Sequence, residues 1–200
     1  GSGAGLKQFV QWPMETAAVD ISDAVDACGV HFAGVPGLQL VQADLRNLPF
    51  ADGQFDVVWS AGVLHHTPDT RASLLAVLRH LRKGGMIFFY VYRRKAPVRE
   101  YVDDFLREAV AGLPPEKAWE RMEAFTRFAR ALAETKAAIT LDDDFPELGF
   151  KKGTYPVQRF IYYTMMKCFW DDDFDFDDNV AVNFDWYHPR YSHRHSPEEV

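Results

Sequence analysis

The residues with the clearest capacity for chemistry are two adjacent histidines, His65 and His66, within the stretch FDVVWSAGVLHHTPD at positions 55–69. An imidazole changes charge near neutral pH, so either ring can take a proton from a reacting hydroxyl. His66 is the first candidate for such a base and His65 the second. A histidine bonded only to loop backbone accounts for either equally well. Phe55–Trp59 is a short apolar run, which predicts a strand buried on both faces of a parallel sheet. Ser60, Ala61 and Gly62 follow it, small residues beside which a ligand can approach the backbone. Ligands of open α/β sheets bind beyond the carboxyl ends of strands, and that is where this order puts the two imidazoles.

Two carboxylates stand at comparable positions. Asp20 ends the apolar run Thr16–Val19, and Asp44 ends Leu38–Ala43. Asp20 follows the glycines of GSGAG (positions 1–5) at about the twenty-residue spacing that brings an acid to a cofactor's ribose hydroxyls. Those glycines, entering a helix, would bring backbone N–H groups to a polar ligand, although a Gly/Ser start also fits a cloning remnant. A lone aspartate after a strand is usually a turn residue; two in succession point to a shared ligand. Further along, NFDWYHPRYSHRH (183–195) offers His188, His193 and Tyr191 as a second source of a base or as substrate contacts. A zinc site from His188, His193 and His195 lacks cysteine or carboxylate partners at a usual spacing. The acidic runs at 142–144 and 171–178 lack the central glycine and closing glutamate of a calcium loop. No metal is expected.

The elements that must position these groups alternate. A helical turn from Leu6 stops at Pro13, and Ser22 caps a helix bearing Val25, Cys28 and Phe32. Leu74, Val77, Leu78 and Leu81 recur at helical spacing, with Gly84 as the stop, before the apolar strand Met86–Tyr92. This order predicts an α/β fold with a doubly wound, Rossmann-like, mostly parallel sheet over residues 1–95. Residues 96–180 read as a helical insertion, a natural lid. Its stripes are Val98–Tyr101–Val102–Phe105–Leu106, then Trp119–Met122–Phe125–Ala129–Leu132, then Val157 to Phe169. Residues 181–200 read as a return segment to the core, with Ser196 capping a final helix start.

Composition narrows the classes. In 200 residues, 48% hydrophobic content can supply a core, and a formal charge of −7 argues against a nucleic-acid surface. Cys28 and Cys168 form no CxxC pair and read as buried thiols in a reducing compartment, so a cytoplasmic location is expected. No apolar run approaches the length of about 18 residues that a membrane span needs.

Taken together, GSGAG, VDIS, QADLRNLPF, FDVVWSAGVLHHTPD and LRKGG occur in an order that resembles the class I S-adenosylmethionine-dependent methyltransferases. The similarity is nearest the small-molecule branch that includes quinone-biosynthesis enzymes. It covers residues 1–92, and DWYHPRYSHRHSPEEV resembles the lead-in to the last helix of such enzymes. The resemblance implies S-adenosylmethionine as cofactor, with S-adenosylhomocysteine as product. Gly1 and Gly3 would lie under its methionine part, Asp20 with Ile21 at the ribose, and Asp44 with Leu45 at the adenine. Ser60 and Ala61 would line it with backbone, and His65 and His66 would stand at the mouth. Tyr92, Arg93, His188, Tyr191 and His193 would face the substrate, a small organic acceptor with a hydroxyl. The Pro-Pro-aromatic loop of amino-methylating relatives is absent, which disfavours nucleic acid or glutamine as acceptor. The family's first strand would precede Gly1 and its last strands would follow Val200. The expectation is therefore a homodimer or strand exchange, a rearranged sheet, or a piece of a larger molecule. A non-catalytic scaffold of the same fold stays open as an alternative. So does a nicotinamide dehydrogenase, which would not need the second acid or the LHHTPD segment.

Overall fold

The computed structural model describes residues 5–200. The glycines at positions 1 and 3, expected under the cofactor, lie outside them. The chain divides into two compact units, Gly1–Tyr90 and Val91–Val200.

The first unit runs α1 (Leu6–Phe9), β1 (Thr16–Asp20), α2 (Ala24–His31), β2 (Leu38–Gln42), β3 (Phe55–Ala61), α3 (Thr70–Leu78) and β4 (Leu81–Tyr90). A 3₁₀ turn, Leu64–His66, joins β3 to α3. β1 and β2 pair in parallel, as do β3 and β4, so the α/β alternation with parallel strands is the observed architecture. Among the described residues the pairs are separate two-stranded sheets.

Two local expectations change. The helix after Pro68 ends at Leu78, and the chain is already extended from Leu81. The cause is a bulge: Phe55 pairs with Leu81 but Val57 with Met86. Gly85 sits inside it, where a Cβ would stand 2.8 Å from the Asp56 carbonyl oxygen and from Leu81 Cδ1. The Gly84-Gly85 pair thus marks an irregular strand, not a helix stop. Nor are β3 and β4 buried on both faces. Val57, Trp59, Met86, Phe88 and Tyr90 share one face and are exposed. Phe9 meets Trp59 edge-on there, with ring centroids 5.3 Å apart.

The second unit comprises β5 (Tyr92–Arg93), α4 (Pro97–Val110), α5 (Pro115–Glu134), β6 (Ala138–Leu141), β7 (Gly153–Pro156), α6 (Val157–Thr164), α7 (Phe176–Tyr187) and β8 (Arg194–His195). β5 and β8 pair in parallel, which ties residues 91–95 and the chain's end into this unit. The apolar core lies between α4, α5 and α7, around Val110, Ala118, Met122, Val180, Trp186 and Tyr187.

α4 is rotated from the expected face: Val98, Val102 and Leu106 are half-buried, with Leu106 packed against the core. Arg99, Asp103 and Arg107 are buried, while Tyr101 and Phe105 are exposed. Asp103 explains this. Its carboxylate accepts from Arg99 Nε (3.2 Å), Trp186 Nε1 (3.0 Å), Tyr187 Oη (2.7 Å) and the Lys167 backbone N–H (2.9 Å). A buried carboxylate so completely bonded offsets its desolvation. The Arg99 guanidinium lies over the Tyr162 and Trp186 rings, 4.8 and 5.4 Å from their centroids.

α7 begins where only an acidic cluster was legible. The Asp175 side chain accepts from the Asp178 backbone N–H at 2.8 Å and caps the helix, with Asp177 and Asp178 in its first turn. Buried Asn183 and Asn179 hold the segment before it. Asn183 Oδ1 accepts from the Phe169 N–H (2.9 Å), and Asn179 Oδ1 from the Asp171 N–H (2.8 Å). The other acidic run closes the β6–β7 hairpin, where Asp144 accepts from Lys151 Nζ (2.9 Å) and the Lys152 N–H (2.7 Å).

Candidate functional site

Parallel pairing puts the two aspartates at the same end of one ladder. Asp20 pairs with Gln42, and the Ala43 N–H donates to the Asp20 carbonyl at 3.0 Å, so Asp44 follows directly at the same end. Asp20 Oδ1 accepts from the Ser22 N–H (2.8 Å) and hydroxyl (2.7 Å), which fixes the turn out of β1. Ile21 is exposed on that turn, and its carbonyl accepts from Gln42 Nε2 at 3.4 Å.

Asp44 carries a partner that spacing alone did not announce. Arg46 grips both carboxylate oxygens, with Nη2–Oδ2 at 2.5 Å and Nε–Oδ1 at 3.0 Å, and its N–H donates to Oδ1 at 2.9 Å. The Arg46 hydrogen bonds hold the Asp44 carboxyl below the usual aspartate range. The signal was present as an arginine two residues after the acid. Leu45 lies between them, partly buried.

At the end of β3, Ser60 pairs with Phe89 and Ala61 with Tyr90. Gly62 follows with φ 77°, and a Cβ there would meet no atom within 4 Å. The backbone beside Ser60 and Ala61 is therefore free to turn, with open space at its edge. The 3₁₀ turn carrying the histidines is anchored on α3. Thr67 Oγ1 donates to the Leu64 carbonyl (2.7 Å), Ser73 Oγ donates to Thr67 Oγ1 (2.8 Å), and Asp69 caps α3 by accepting from the Ala72 N–H (2.8 Å). On it the two rings part company. His65 is fully buried, with its ring 6.3 Å from that of Tyr90, edge to face, whereas His66 is half-buried. Their ring centroids are 4.3 Å apart. Asp20, Asp44, Ser60, Ala61, His65 and His66 thus all stand at or just past the carboxyl ends of strands in one unit.

The remaining candidates are in the second unit. Tyr92 pairs with Arg194 and its ring lies 4.5 Å from that of Trp186; Arg93 pairs with His195. His188 stacks on Phe184 with centroids 4.5 Å apart, and its Nε2 lies 3.3 Å from the Leu113 carbonyl. Tyr191 and His193 stack on each other at 6.1 Å and line a cleft of about 380 Å³. The two cysteines are buried free thiols. No helix among the described residues is long and apolar enough to cross a membrane.

Acids at the end of β1 and just past β2, with a glycine turn after β3, resemble the arrangement that α/β units use to bind nucleotides. Residues 1–89 match the family model described as a methyltransferase domain. Over 121 residues the chain is 30% identical to phthiotriol/phenolphthiotriol dimycocerosates methyltransferase 1 of Mycobacterium ulcerans, covering 60% of this chain and 43% of that protein. Over 83 residues it is 46% identical to the demethylmenaquinone methyltransferase of Staphylococcus saprophyticus, covering 41% and 36%. A solved structure, the YcgJ protein of Bacillus subtilis, aligns at TM-score 0.48 and 27% identity, covering 54% of this chain and 49% of that one. The chain spans less than half the length of these curated relatives.

Proposed function

We propose that this protein transfers a methyl group from S-adenosylmethionine to a hydroxyl of a small organic acceptor, in the cytoplasm. The observation that carries the reading is the shared end of β1 and β2, where Asp20 and Asp44 follow one another along a single hydrogen-bonded ladder. The donor set suits an adenosine: carboxylate oxygens accept from ribose hydroxyls and from an exocyclic amine, and the Ser60–Gly62 backbone can lie against the ligand. Asp20 with Ile21 would hold the ribose. Asp44 with the Leu45 backbone would hold the adenine once Arg46 swings aside. S-adenosylmethionine supplies an electrophilic methyl on a sulfonium, so the protein's share is to position the acceptor and remove its proton.

His66 is the residue assigned to that proton. Its ring is half-buried at the turn after β3, whereas the fully buried His65 ring packs against it and serves to position it. Relatives named for methylation of phthiotriol and of demethylmenaquinone support a small organic acceptor over a macromolecule. The test is calorimetric titration with S-adenosylhomocysteine. The chain should bind it, and Asp20→Ala should weaken binding at least tenfold, in line with about 1.5–3 kcal/mol for hydrogen bonds to a charged group. Binding that is indifferent to Asp20→Ala would remove the ribose assignment. Absence of binding would favour the scaffold reading.

A further inference from the structure

We infer that the cleft beside β8 in the second unit is a binding site for an oxyanion, the phosphate or carboxylate of a small ligand. It is lined by four arginines, Arg94, Arg107, Arg190 and Arg194, and by two carboxylates, Glu100 and Asp104, with Arg94 also paired to Glu199 at 2.7 Å. This local excess of positive charge stands out in a chain whose formal charge is −7.

The arginines nearest its floor are built in. The Arg107 and Arg194 side chains are 8% and 7% exposed. Arg107 donates from Nη1 to Asp104 (2.9 Å) and from Nη2 to the Trp186 carbonyl (2.9 Å). Arg194 donates from Nε to Glu100 (2.6 Å) and from Nη2 to Asp104. These bonds fix both guanidinium planes and leave one nitrogen of each without a hydrogen-bond partner. Arg107 Nε and Arg194 Nη1 are buried and have no hydrogen-bond partner among the described residues, and the same holds for Ser192 Oγ. Three unsatisfied donors in residues lining one cleft are not a usual feature of a protein interior, where buried donors find acceptors. An oxyanion offers several acceptor lone pairs at once and meets arginine in a fixed geometry. Electrostatics run the same way. Burial and the adjacent charge of Arg194 push the Arg107 guanidinium down, a strain that an anion would relieve. At the mouth, Arg190 makes no ion pair among the described residues and lies over the Tyr191 ring, 5.5 Å from its centroid.

The inference does not rest on methyl transfer, and its test uses the whole chain without cofactor. Inorganic phosphate and acetate are titrated at low ionic strength and followed by calorimetry. One saturable site per chain is expected, with an affinity near about 1 mM. Phosphate binding marks a phosphorylated ligand and acetate binding a carboxylic acid; either supports the site. Ser192→Ala removes one donor without touching the ion-pair framework and should weaken binding roughly threefold to tenfold. Arg190→Ala should weaken it as well and make it less sensitive to salt. Circular dichroism confirms that both variants fold. No saturation up to about 10 mM of either anion, or equal binding by both variants and the parent, overturns the assignment.

Discussion

Lys167 is the group whose removal should tell most about the second unit. It follows α6 and its ammonium lies 4.5 Å above the Trp186 ring, with the Val182 carbonyl as hydrogen-bond acceptor at 3.5 Å. Burial pushes its pKa from 10.5 down to about 8, Arg99 and Lys95 push the same way, and Asp103 and Asp185 oppose them. At about 1.4 kcal/mol per pH unit, holding this charge inside costs about 3 kcal/mol at neutral pH. The sign follows from proton counting. Below pH 8 both states carry the proton and the penalty is complete; from about 8 towards 10.5 the unfolded chain keeps a proton that the folded one has released, so stability rises with pH. Cys168 acts in reverse. Burial raises its thiol from 9.0 to about 11, so above pH 9 the folded chain retains a proton that the unfolded one loses, and stability falls. The Tyr187 hydroxyl, raised by burial and by Asp103, adds a further loss in stronger alkali. The Lys167 effect is therefore clean only from pH 8 to 9, where it amounts to about 1 kcal/mol. Lys167→Met keeps the apolar stem over Trp186 and discards the charge. Chemical denaturation at pH 7, 8 and 9 should show a variant more stable than the parent by up to about 3 kcal/mol at pH 7. It should also lack the rise between pH 8 and 9. A variant that is less stable at pH 7, or that keeps the rise, refutes the reasoning.

Other perturbations follow from the same contacts. Asp103→Ala leaves Arg99 buried without its carboxylate and should cost about 3–5 kcal/mol, read as a lowered denaturation midpoint of the second unit. Asp175→Ala removes the cap of α7 and should cost about 1 kcal/mol, with Asp175→Asn largely restoring it. Arg46→Ala frees the Asp44 carboxylate from an exposed pair worth about 1 kcal/mol or less, so S-adenosylhomocysteine should bind up to about fivefold more tightly. An affinity left unchanged would move the adenine away from Asp44.

The first unit was legible because its signals are local. A parallel strand shows as an apolar run, and the acids at 20 and 44 fall just past such runs, so their place at one end follows from strand direction alone. What spacing could not supply was which face of a strand or helix has a neighbour. The consecutive apolar residues of β3 and β4 carry no mark that Trp59 and Phe88 would be exposed while Val58 and Ile87 are half-buried.

In the second unit the same limitation rotates α4. A stripe of Tyr101 and Phe105 reads as core by periodicity, yet the helix buries Arg99, Asp103 and Arg107 because residues far along the chain complete them. The donors to Asp103 include Trp186 and Tyr187, and the acceptors for Arg107 include the Trp186 carbonyl. Polar burial is decided by such distant partners, and no periodicity encodes them. α7 was hidden for a related reason: its cap and first turn are aspartates that count as a charge cluster until Asn179 and Asn183 are seen bonding the preceding segment. The anion cleft is the sharpest case. Arg107 and Arg194 are ordinary charged residues in the sequence. They become a candidate site only because Glu100, Asp104 and the Trp186 carbonyl consume some of their donors and leave others buried and unspent.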